Sequence, residues 1–132
     1  MEKLVSRLRL GKQVFFVNTT HDVESFLTRA RIFVYCSWFR VEGLPLAILE
    51  AMALNIPVLT RNFAGAGEFL LDKENCYIFE KEEEFIQKAI WLLNHSQERE
   101  LISASAKRYI KKYHSSENIG AYLEELGIRM VN

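Results

Sequence analysis

Two glutamates, Glu42 and Glu50, lie with seven residues between them in "VEGLPLAILEAMALNIPVLT", residues 41 to 60. A carboxylate carries two acceptor oxygens and no donor, a set that fits the paired hydroxyls of a ribose or a sugar. The positions three and four residues from Glu50 are Leu46, Ala47, Ala53 and Leu54, all apolar. A helix here therefore gives Glu50 no polar stripe to join and predicts a carboxylate held among apolar neighbours. Burial without a partner costs several kcal/mol or protonates the acid. Two readings stay open for it: a structural carboxylate fixed by a backbone group or an arginine, or one facing a polar cleft and its ligand. Glu42, just outside the helix start, has the simpler alternative of favouring the helix dipole.

The backbone around the same helix start offers a second chemistry. Pro45 suits a first helical turn, because its φ is fixed and the N–H it lacks has no helical partner there. The N–H groups around Gly43, Leu44 and Leu46 then point out of the helix start and make an anion site, which glycine lets a ligand approach closely. A cap or water satisfies most such groups, so this feature alone is unspecific. The turn Gly65, Ala66, Gly67 is read either as an ordinary tight turn or as part of a ligand pocket. Ser37 is read as a strand-end cap or a minor contributor to the same cleft.

These residues need elements to hold them. Residues 2 to 10 repeat apolar positions at helical spacing, with Gly11 placed to supply a left-handed end. The runs "VFFV" (14 to 17) and "IFVY" (32 to 35) suit strands covered on both faces, and Asp22 is placed to cap a helix between them. A helix from about 44 to 54 is followed by strand "PVLT" (57 to 60), the glycine turn, and a strand near "CYIF". After Glu80 the apolar stripes are helical, with two long helices and a final short one near "ENIGAYLEEL". Strands alternating with helices predict an α/β domain with a largely parallel sheet.

The bulk properties narrow the partners. A chain of 132 residues suits one domain and buries roughly two-thirds of its unfolded surface. Seventeen basic and seventeen acidic residues cancel, leaving no electrostatic footprint for nucleic acid. Cys36 and Cys76 lack metal-site or C-x-x-C spacing, which suggests buried free thiols in a reducing cytosol. No apolar run reaches the roughly 18 residues of a membrane span. The expectation is a cytoplasmic protein. Lys107, Arg108, Lys111 and Lys112 are read as a solvated helix face or, if they touch anionic lipid, a peripheral membrane contact.

"EGLPLAILE" leading into "AMALNIPVLT" resembles the signature of retaining GT-B glycosyltransferases of family 4 (glycosyl transferases group 1), in their C-terminal, donor-binding domain. "DVESFLTRARIFVYCS" resembles the helix and strand that precede the motif. "FAGAGEFLLDKENCYIF" is similar to the family's glycine turn and following strand, and "FIQKAIWLLNHSQERELISASAKRYI" to its helical tail. The resemblance covers nearly the whole chain. It implies a partial doubly wound, Rossmann-like parallel sheet: the C-terminal half of a GT-B fold with a helical C-terminal tail, forming a single domain over residues 1 to 132.

The resemblance also implies transfer of a sugar from a nucleotide diphospho-sugar to an acceptor hydroxyl, with retention and without a metal or other cofactor. Glu42 would contact the transferred sugar and Glu50 the ribose. The backbone at Gly43 and Leu44 would meet the diphosphate, with Ser37, Gly65, Ala66 and Gly67 lining the donor pocket. The chain departs from the pattern at Cys36, where proline is common, at Cys76 and Asn18, where glycine is, and in a longer loop "SWFRVE". The family's acceptor domain and early strands with a diphosphate-binding arginine and lysine have no counterpart. If the family order holds, those strands belong between "VFFV" and "IFVY", leaving edges to be filled by a partner chain. The alternative function is a non-catalytic nucleotide-sugar-binding or accessory subunit of a split transferase. An unrelated α/β nucleotide-binding domain is a third option.

Overall fold

The computed structural model describes residues 1–18, 22–37 and 45–115. Glu42, Gly43, Leu44 and the final short helix expected near 117 to 126 lie outside the described residues.

Three short parallel strands form the sheet: β1 (Phe33–Tyr35), β2 (Val58–Arg61) and β3 (Tyr77–Phe79), in the order β1-β2-β3. The register sets Phe33 beside Val58 and Leu59 beside Tyr77. Val58, Leu59 and Thr60 of the central strand are fully buried, as expected for a parallel sheet covered on both faces. Around the sheet run α1 (Glu2–Arg7), α2 (Val23–Leu27), α3 (Leu46–Ala53), α4 (Glu82–Asn94) and α5 (Ser96–Tyr113). The α/β class and the helical tail stand as the sequence suggests.

Several expectations are corrected. Residues 14 to 17 do not form a strand: Phe15, Phe16 and Val17 are exposed, and the segment lies outside the sheet. A β-prone run becomes a strand only beside a strand that takes its hydrogen bonds, and none of the described strands lies next to it. Helix α1 ends at Arg7, and the left-handed residue after it is Arg9 (φ 57°), not Gly11. Pro45 caps α3 from just outside, with extended backbone, instead of sitting in its first turn. Cys76 is buried, but Cys36 is exposed.

Two turns explain how α3 and the glycine loop hold their places. Ile48, Ala51 and Met52 face inward and pack into a core with Ile56, Val58, Phe69, Leu70 and Ala106 of α5. The spacing of 48, 51 and 52 is one side of an α-helix. Gly65 takes φ 87°, a left-handed geometry that a side chain resists, and starts a 3₁₀ turn over Ala66–Glu68. Ala66 is fully buried there. Asn75, buried before β3, closes the following loop: its Oδ1 accepts from the Leu71 N–H at 2.8 Å and its Nδ2 donates to the Phe69 carbonyl at 2.9 Å.

Candidate functional site

Helical geometry decides where Glu50 points. With Ile48, Ala51 and Met52 committed to the core, the opposite face of α3 carries Leu46, Glu50 and Ala53, and all three are exposed. Leu46 is 70% exposed. The expectation of a buried carboxylate is therefore corrected: no burial penalty forces a partner on Glu50. The surrounding residues remain apolar although they face outward.

That face borders an open hollow of about 420 Å³ between α2 and α3, lined by Val23, Glu24, Leu27, Glu50, Ala53 and Leu54. Asp22 caps α2 as expected, accepting from the Ser25 N–H at 3.3 Å. Among the described residues no hydrogen-bond or ion-pair partner reaches the carboxylate of Glu50 or of Glu24. Both glutamates are exposed and line the hollow. Glu24 was not singled out from sequence; its signal was only its position four residues before Thr28 on a short capped helix, which says nothing about α3.

A second hollow, about 340 Å³, opens where the strands end, lined by Cys36, Arg61, Phe79, Glu80, Glu82 and Phe85. In open α/β sheets ligands settle outside the carboxyl ends of the strands. Partial burial raises the Cys36 thiol above its usual pKa while the positive charge of Arg61 opposes the rise. Cys76 is different: burial, helped by the charge of Asp72 and opposed by Lys88, pushes its thiol up to about 12. It is a core thiol with no nucleophilic role.

The other expected residues are placed as follows. Ser37 is half-buried just after β1. Gly65, Ala66 and Gly67 form the turn after β2, where the Ala66 N–H donates to the Phe63 carbonyl at 3.1 Å. A Cβ at Gly67 would meet nothing within 4 Å, so packing does not require glycine there. All of them follow the carboxyl ends of β1 and β2, yet none lines the Glu50 hollow or the one beside Arg61. Neither of these two hollows brings Glu50 and Ser37 together. Among the described residues no group of three His, Cys, Asp or Glu side chains is arranged to hold a metal, and no helix is long and apolar enough to cross a membrane.

The family model of glycosyl transferases group 1 matches residues 1–109. The chain belongs to this family. It is 36% identical over 76 residues to glycosyltransferase 1 domain-containing protein 1 of Xenopus tropicalis, covering 58% of this chain and 22% of that one. With an uncharacterized glycosyltransferase of Haemophilus influenzae it shares 29% identity over 121 residues, 90% of this chain and 34% of the relative. The chain thus spans about a third or less of the length of these relatives.

Solved structures agree on the fold. The C-terminal domain of the group 1 glycosyl transferase LpcC from Francisella tularensis superposes with TM-score 0.71 at 24% identity, over 87% of this chain and 60% of that domain. HepE from Anabaena, solved in complex with UDP-glucose, gives TM-score 0.86 at 19% identity, over 95% of this chain and 35% of its own. The fold of this group 1 glycosyltransferase chain is that of the C-terminal half of a GT-B enzyme, a Rossmann-like α/β layer.

Proposed function

We propose that this chain is the donor-binding part of a retaining glycosyltransferase that moves a sugar from a nucleotide diphospho-sugar to an acceptor hydroxyl. The observation that carries the reading is Glu50: an exposed carboxylate with no hydrogen-bond or ion-pair partner among the described residues, at the edge of a 420 Å³ hollow, one turn into a helix whose start is capped by Pro45. Its two oxygens accept from the ribose hydroxyls. The diphosphate then lies toward the start of α3, where the helix dipole and free N–H groups favour negative charge and stabilise it as it leaves. In this scheme the backbone of Gly43 and Leu44 meets the diphosphate, and Glu42 orients the sugar without attacking it. Ser37 and the turn Gly65, Ala66, Gly67 border the sugar end, and the reaction needs no metal. Residues 1 to 132 act as one domain, with the acceptor held outside these residues.

Isothermal calorimetry of the chain with uridine, guanosine and adenosine diphosphates tests this reading. At least one binds, and Glu50→Ala weakens it about tenfold or more, the cost of losing hydrogen bonds to a charged acceptor. Binding unchanged by Glu50→Ala refutes the ribose role.

A second reading is favoured by one observation: on the side of β1 away from β2, no described strand pairs with it. In that reading the chain is an accessory subunit that binds the nucleotide-sugar and completes its sheet with a partner chain. Nucleotide binding without sugar transfer or donor hydrolysis by the isolated chain, with turnover restored by a partner, supports this version.

A further inference from the structure

The hollow beside Glu50 contains a second carboxylate that the function above leaves idle. Glu24 lines it from the α2 wall, next to Val23 and Leu27, while Glu50, Ala53 and Leu54 form the α3 wall. Among the described lining residues these two glutamates carry the polar side chains. Along α3 the hollow runs from Glu50 toward Ala53 and Leu54, away from the helix start at Leu46. A nucleotide with its phosphates at that start and its ribose on Glu50 therefore lays its base over Ala53 and Leu54. The apolar side chains of Val23, Leu27, Ala53 and Leu54 offer a base a surface to lie against, and the polar group left to meet its edge is Glu24.

We infer that Glu24 reads the base in this hollow and that the site takes a guanine nucleotide. The inference rests on the donor-site reading of Glu50. A carboxylate has two acceptor oxygens and no donor. Guanine presents two adjacent donors on one edge, the ring N1–H and the exocyclic amino group, and a carboxylate takes both at once. Uracil presents one N–H between two carbonyl oxygens, which a carboxylate repels. Adenine and cytosine each set an amino group beside a ring-nitrogen acceptor, so one carboxylate oxygen is left facing a lone pair. The open, 420 Å³ size of the hollow lies in the range of small-ligand pockets. Glu24 is exposed, and among the described residues no hydrogen bond or ion pair engages its carboxylate, so its oxygens are available.

Calorimetry of the full 132-residue chain with GDP, UDP and ADP, on the parent, Glu24→Gln and Glu50→Ala, decides it. GDP is expected to bind at least about tenfold more tightly than UDP, the discrimination of one two-point contact to a base. Glu24→Gln, nearly isosteric at an exposed position, brings the GDP-to-UDP ratio close to one. Glu50→Ala weakens both nucleotides and keeps the ratio. UDP binding as tightly as GDP, or Glu24→Gln weakening both in the same proportion, overturns the base assignment and leaves the ribose site standing. No binding of any of the three diphosphates overturns both.

Discussion

Tyr77 joins the sheet to the helical tail through one short hydrogen bond, its hydroxyl donating to Glu98 Oε1 at 2.6 Å. Burial, then the hydrogen bond and charge of Glu98, and the charge of Asp72, push its pKa up to about 12. The native state thus holds the phenol proton more tightly than the unfolded chain, whose tyrosine titrates near 10. The bond contributes fully below about pH 10 and is lost as pH rises toward about 12. Tyr77→Phe is expected to cost about 1–3 kcal/mol at pH 8, typical of a hydrogen bond to a charged group. The gap between parent and variant should close between about pH 10 and 12, followed by urea denaturation across that range; a gap that stays constant there refutes the assignment. Glu50 carries the opposite lesson at this scale. Its type, its spacing from Glu42 and the apolar residues around it were all legible, but not its exposure, because which side of a helix meets the core depends on what packs against it.

For α3, that side is set by α5 and the sheet. Ile48, Ala51 and Met52 are buried, whereas the equally apolar Leu46 is 70% exposed. Hydrophobicity alone cannot choose between these faces, since the helix is apolar almost all round; only the tertiary neighbours break the tie. Truncation does distinguish them. Ile48→Ala should lower stability by about 2–5 kcal/mol, the range for a buried aliphatic cut to alanine. Leu46→Ala should change it by about 0.5 kcal/mol or less, as for an exposed position. Comparable losses at both sites, measured by chemical denaturation, would mean that the face carrying Leu46 and Glu50 is packed and not open. The same dependence on neighbours explains residues 14 to 17. The composition of "VFFV" marks a strand, and the capped helix, β1, β2, β3 and the two long helices were readable from pattern. A strand, however, is completed by the hydrogen bonds of its neighbour, which local sequence does not contain.

The sheet as a whole has one edge whose state the amides report. In β1 alternate N–H groups point to opposite sides. The Phe33 N–H donates to the Pro57 carbonyl at 2.9 Å, so it and the Tyr35 N–H face β2. The Val34 N–H faces the other way, toward the side on which no described strand pairs with β1, and its side chain is 41% exposed. Strand β2, paired on both sides and buried, is the most protected part of the sheet. Hydrogen exchange followed by NMR should therefore show the Val34 amide exchanging on the order of tenfold or more faster than those of Phe33 and Tyr35, with Val58 to Arg61 among the slowest. Protection of Val34 equal to that of its neighbours means that another strand already covers this edge and that the sheet needs no partner. If the accessory-subunit reading holds, adding the partner chain slows Val34 in particular, because a strand entering there must take that N–H to satisfy its own backbone. A partner that restores turnover while leaving Val34 fast acts elsewhere, across the nucleotide hollow and not through the sheet.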